Sequence, residues 1–249
     1  MKRLGWAALL LAAAHPLLAA APAAKGPPDL SGFWNLLSRI VEPDPELAKH
    51  VPKDAVVLRD VGAAEFGPME FGGLKPTPAA LAQAKAWNPR AGLTVGTACL
   101  IPSIVYALQG PFPMEIYQGR DLVVMRLEYM DMARVFVMGD KPDWPADAPH
   151  TKVGYSRAHW EGDQLVVVTT HLKPATITNN GLDHSDKMVV TERYRLADGG
   201  NTLIASQLYE DPEVLENRGV RYISWRRGGN DHVHAYDCDP SFAEEYAKP

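Results

Sequence analysis

The chain has 249 residues, of which 46% are apolar and 22% charged, with a formal charge of −5 at pH 7. This is the composition of a globular protein that buries a core, and the length suits one large β domain or two small ones. A mildly acidic chain without a Lys/Arg run excludes nucleic acid and anionic membrane as expected partners.

At the N-terminus, Lys2 and Arg3 precede an apolar run from Leu4 to Leu18, followed by small residues to Ala23. This is the pattern of a secretory signal peptide, read here as residues 1–24. The run is too short and too rich in Ala for a comfortable membrane span, and no Cys follows it to carry a lipid anchor. Residues 25–249 are expected to form a single exported domain, periplasmic or secreted. Without Lys2 and Arg3 the formal charge becomes −7. In an oxidising compartment Cys99 and Cys238, far apart and alone, are expected to form a disulfide rather than a metal site.

The domain opens at Asp29-Leu30-Ser31-Gly32-Phe33-Trp34. Gly-x-Trp leading into a strand resembles the opening of lipocalin-like barrels. That resemblance implies a Trp packed at the barrel floor against an Arg from the last strands, here Arg226 or Arg227. From Val41 to Pro113 the chain is irregular, with a short helix expected around Pro45–His50. A firmer helix is expected at 78–87, with Thr77 as N-cap, Pro78 in its first turn and Asn88-Pro89 as its stop.

Strands then follow at short intervals: Met114–Gln118, Leu122–Glu128 and Arg134–Met138. A hairpin turns at Glu161-Gly162-Asp163, and Lys187–Leu196, Thr202–Tyr209, Val220–Arg227 and Asp231–Cys238 complete the series. A short terminal helix carries Ser241 and Glu244 as a capping box. Such a series of strands joined by tight turns must close or split. The fold class expected is mainly β: an antiparallel up-and-down, lipocalin-like barrel of about 8–10 strands with one or two peripheral helices. A β-sandwich is the alternative.

Several segments occur together in order: PDLSGFW, Cys99 with Pro102, MEIYQ, HWEGDQLVV, HSD followed by VTERYR, and YEDP. This order resembles a large group of exported bacterial proteins, mostly of unknown function, with PDLSGxW, CxP, W-E-G-D-T-L-V-V-D-T, HSD, E-R and acidic-Pro segments. Here Gln164 stands for the usual Thr and Val168 for the usual Asp. The resemblance implies a β-rich exported domain and supplies no mechanism.

Strand alternation places Glu192 on the apolar face of Met188, Val190, Tyr194 and Leu196, pointing inward. A carboxylate in an apolar cavity suits general acid or base work; the alternative is a buried ion pair with an Arg such as Arg134, bracing the barrel. By the same alternation Glu128 is placed with Leu122, Val124 and Arg126 on a mixed face, as an internal partner for Arg126. His184, oriented by Asp186, is the acid partner expected for Glu192. Gln118, Glu128, Arg134, Trp160 and Tyr194 are the expected binding residues for a small apolar or aromatic molecule. The pair His232-x-His234 lacks a third ligand at diagnostic spacing, so neither a metal nor any other cofactor is expected. Two functions remain open: a cofactor-free lyase, isomerase or hydratase, and a periplasmic binding or carrier protein without chemistry.

Overall fold

Alternating inward residues of Val, Leu, Ile, Met and aromatic type, set between Gly- and Asp-rich turns, drive the strands of this chain together around one core. The computed structural model describes residues 26–37, 39–61 and 64–246. The expected leader, residues 1–24, lies outside the described residues. In chain order the elements are β1 (Gly32–Leu36), α1 (Pro45–Ala48), β2 (Val56–Val57), α2 (Pro78–Ala86) and α3 (Ile104–Ala107). Then come β3 (Met114–Gln118), β4 (Leu122–Leu127), β5 (Ala133–Met138), β6 (Tyr155–Glu161) and β7 (Gln164–Thr170). A small pair, β8 (Ala175–Thr176) and β9 (Asp183–His184), precedes β10 (Val189–Ala197), β11 (Thr202–Glu210), β12 (Gly219–Arg227) and α4 (Phe242–Tyr246).

The main sheet runs β1-β3-β4-β5-β6-β7-β10-β11-β12, and β1 also pairs with β12, so nine strands close into a barrel. Closure removes the exposed edges that a long meander would leave. The neighbours are antiparallel except β5 and β6, which run parallel because the Pro-rich segment 139–154 carries the chain back before β6 begins. The up-and-down pattern is therefore interrupted once. β2 adds a short parallel pairing at the start of β12.

The inward rows are Met114 and Ile116, Val123 and Met125, Phe136, Ala158, Leu165 and Val167, Val190 and Tyr194, Leu203 and Ala205, and Ile223 and Trp225, all within one buried cluster. Trp34 is fully buried, its Nε1 donates to the Leu30 carbonyl at 3.0 Å, and the Arg227 guanidinium lies 4.2 Å above its ring. Of the two candidate arginines, Arg227 supplies this contact; Arg226 faces solvent.

The segment 41–113 has two roles. α1 sets Leu47 on the outer side of Leu208, Val220 and Tyr222. α3 lies over the barrel interior, where the carbonyls of Ile104 and Val105 accept from Gln207 and Arg221. That short helix was not legible in a stretch without periodicity.

The expected strand Asp231–Cys238 does not form. β12 already has β11 on one side and β1 and β2 on the other, so no ladder is left for it. The segment runs instead as an irregular strap across the starts of β3 and β5. His232 Nδ1 meets Glu115 at 2.8 Å, the His234 N–H donates to Glu128, and Tyr236 packs edge-on against the stacked Phe112 and Tyr129. Cys238 at its end is bonded to Cys99 across a separation of 139 residues.

A loop of that length gives a disulfide worth up to about 5 kcal/mol on chain-entropy grounds. Replacing Cys99 and Cys238 together by Ser is expected to lower stability by about 2–5 kcal/mol. Urea unfolding of the oxidised protein and of the double variant measures it; equal midpoints would show that the strap is held by its other contacts.

Candidate functional site

The buried polar groups of the barrel gather in three clusters, and the residues expected to carry function fall in only two of them or in none. The first crosses the centre. Alternation along β10 turns Glu192 inward, as its apolar neighbours require, and alternation along β5 turns Arg134 inward beside Phe136 and Met138. In the sheet, β6 and β7 lie between β5 and β10, so the two side chains meet across the interior. Arg134 Nη1 donates to Glu192 Oε1 at 3.0 Å and Nη2 donates to Oε2, a bidentate pair with both side chains at 0% exposure. Glu192 Oε1 also accepts from Tyr194 Oη at 3.0 Å and from Gln207 Nε2 at 3.1 Å. Arg134 Nη2 further donates to Thr169 Oγ1 at 3.3 Å, and that hydroxyl is 2.7 Å from Ser156 Oγ. Burial opposes the charge on Arg134, but Glu192 beside it more than offsets this and its pKa stays above the ordinary value. Burial, reinforced by the Glu192 charge, likewise pushes the Tyr194 hydroxyl well up and keeps it a donor.

A second cluster continues the same row. Gln207 stands opposite Glu192 on one side and Arg221 on the other. Arg221 pairs with Asp60 through Nε at 2.9 Å and Nη2 at 2.5 Å, and gives its remaining bonds to the carbonyls of Val105 and Ile177, both at 2.8 Å. Its guanidinium lies 5.6 Å from the Tyr209 ring centre.

The third cluster holds His184. Its Nε2 is 2.9 Å from Ser103 Oγ and its Nδ1 is 2.8 Å from the Ser185 carbonyl. A carbonyl only accepts, so Nδ1 carries the proton and Nε2 accepts from Ser103. Burial pushes the imidazole below its ordinary 6.5, which keeps it neutral. Ser185, in turn, donates through its N–H and hydroxyl to Asp211 at 2.6 and 2.8 Å. Ser103 and His184 have the bonding order of a nucleophile and its base, but they are 0% and 1% exposed, with Ser103 also capping the start of α3.

The sequence-derived residues therefore do not share one place. Glu192, Arg134 and Tyr194 come together at the centre. His184 is oriented by the Ser185 carbonyl, whereas Asp186 lies half exposed beside Lys187 and His150 at 3.1 and 3.7 Å. Among the described residues no hydrogen bond joins Glu192, His184 and Asp186. Gln118 ties down the N-terminal segment through the Pro28 carbonyl and the Leu30 N–H. Glu128 sits beyond the end of β4 and accepts from the strap, while Arg126 faces outward towards Asp131 at 3.9 Å. This corrects the expected face of β4, where Val123, Met125 and Leu127 point inward. Trp160 is half buried and packs on the core. His232 and His234, 76% and 79% exposed, face separate carboxylates, and no group of three or more His, Cys, Asp or Glu suited to a metal occurs among the described residues.

Two openings accompany these clusters. A groove of about 300 Å³ lies outside the barrel, between Asp54 and the turn Glu210–Arg218, where Arg218 bridges Asp54 and Glu210. A narrow one leads from Leu37 and Arg39 to Asp60, Arg221 and Gln109.

Removing one member of the central pair strands a buried charge. Glu192→Leu and Arg134→Met are each expected to cost about 3–5 kcal/mol, and the double variant less than either alone. Denaturant titration of all four proteins measures the coupling; strictly additive losses would remove the brace. His184 gives a pH signature. The unfolded chain takes up its proton below 6.5 and the folded chain only at lower pH, so stability should fall as pH drops from 6.5 towards the folded value. His184→Gln should flatten that slope in thermal melts across the same range. Compared with known proteins, the chain matches no family's sequence profile and none of the curated proteins.

Proposed function

We propose that this chain is an exported small-molecule binding or carrier protein, with the barrel serving as a rigid frame and not as a reaction chamber. One observation carries the reading. Both oxygens of Glu192 are occupied by Arg134, with Tyr194 and Gln207 adding to one of them, in a fully buried site. A general base must reach a substrate proton, and Glu192, fully buried and held in a bidentate pair by Arg134, is out of reach of one while this brace stands. The His184 imidazole is equally committed to Ser103 and the Ser185 carbonyl. Export is supported by the leader pattern in residues 1–24 and by the Cys99–Cys238 disulfide, which suits an oxidising compartment.

The ligand is a small apolar or aromatic molecule with one or two polar handles. The barrel's apolar lining and few fixed polar groups match that description, and both openings described above lie at the wall. The ligand therefore docks where the wall opens.

Native mass spectrometry of the protein isolated from its own periplasm tests the function. A discrete small mass, retained under gentle conditions and released on unfolding, is expected. A protein that carries nothing, or that converts the released molecule on re-addition, would overturn the carrier reading.

A further inference from the structure

β12 changes partners along its length. Trp34–Leu36 pair with its C-terminal end, and Val56 and Val57 pair with Gly219 and Val220 at its start. The Leu37 N–H donates to the Ser224 carbonyl and the Leu58 N–H to the Val220 carbonyl, both at 2.9 Å. In the antiparallel ladder the N–H and C=O of Tyr222 face the same side as those of Ser224 and Val220. They lie between the two bonds, and among the described residues no hydrogen bond reaches them. Arg39, two residues beyond Leu37, turns its N–H back to the Leu37 carbonyl at 2.7 Å. The barrel wall thus has a seam, lined by Leu36, Leu37, Ile223, Arg221, Asp60 and Gln109.

Gln109 is the second observation. It follows α3, is 3% exposed, lines the seam, and has no partner at either end of its amide. A buried amide without partners is rare enough to need an explanation. Beside it the seam holds about 10 Å³ of space open to the centre of a water molecule, room for a single hydroxyl-sized group. Arg221 and Asp60 neutralise one another through two hydrogen bonds, so the inner end of the seam has no unmatched charge to attract an ion.

We infer that the seam between β1 and β2 binds the head of a neutral small molecule of the alcohol class. The hydroxyl both donates to and accepts from the Gln109 amide and the Tyr222 backbone edge, and the apolar tail lies outward on the partly exposed Leu36 and Leu37. This rests on the carrier reading and places its ligand.

The test uses the ¹⁵N-labelled exported chain and 1-hexanol as the probe, with n-hexane as the control. Expected are saturable shifts of the Gln109 side-chain NH₂ and the Tyr222 amide with hexanol, absent with hexane. Gln109→Leu should weaken hexanol binding about tenfold. If that variant does not fold, Gln109→Asn, which withdraws the amide by one methylene, should weaken it in the same sense. Shifts confined to other residues, equal response to hexane, unchanged affinity in the variants, or a bound water that hexanol does not displace would each overturn the inference. The two readings fail separately. A natural ligand retained equally by wild type and Gln109→Leu removes the seam and leaves the carrier. Hexanol binding at the seam, in a protein that carries nothing from the periplasm, removes the carrier and leaves the seam.

Discussion

The structure depends on one buried ion pair placed across the barrel. A bidentate carboxylate–guanidinium contact between Glu192 and Arg134 joins strands that are not neighbours in the sheet. Taking two charges out of water costs several kcal/mol for each ion, and their attraction recovers this only when the remaining lone pairs and donors are also satisfied. Tyr194, Gln207 and Thr169 meet that condition for the pair, apart from the Nε of Arg134. The barrel is therefore held from the inside, and Glu192, the carboxylate expected to act as a base, is one of the groups that hold it.

The same requirement constrains register. Shifting β10 by one residue would turn Glu192 to the outside and leave Arg134 buried without a partner. Gln207 extends the constraint to the next two strands, because it stands between Glu192 and Arg221 in directly opposed pairs. Arg221 then reaches out of the sheet to Asp60 and to the carbonyls of Val105 and Ile177. A single polar row thus ties together the sheet, the segment before α2, α3 and the loop after β8. Apolar packing alone does not impose so specific an arrangement, since side chains of similar volume exchange at modest cost.

This division explains what the amino-acid pattern revealed. The barrel strands from Met114 to Arg227 were legible because alternation and turn chemistry agree there, whereas the small pair β8 and β9 was not. The inward face of Glu192 came from the same alternation, and its pairing with an Arg such as Arg134 stood as one of two readings of that face. Applied to β11 and β12 it also turns Gln207 inward with Leu203 and Ala205, and Arg221 with Ile223 and Trp225. Asp60, Ser103 and Gln109 were out of reach: they lie in a stretch without period, where position is decided by partners distant in the chain. The orientation of His184 was hidden for a related reason. Its partner is the Ser185 carbonyl, and a backbone group leaves no mark in residue identity. For β4 the face was misjudged because Arg126 and Glu128 look like partners in sequence, while Arg126 faces out of the barrel and Glu128 lies past the strand's end.

The barrel is also uneven in how firmly its wall is bonded, and that bears on where binding can occur. At the centre every movement must separate a buried pair, which makes the brace a poor place to admit a ligand. At β12 the wall changes from β2 to β1, and among the described residues the ladder lapses at Tyr222. Segments with few backbone hydrogen bonds open at lower free energy than the strands they border. A ligand proposed there would gain bonds that the fold leaves unmade among the described residues, without disturbing those that hold it. Arg221 and Tyr222 are adjacent in sequence and point to opposite sides of the wall, the first to Asp60 and the second to the packing around α1. The strand that carries the end of the inner polar row therefore also presents the open edge, so rigidity and access are built on consecutive residues.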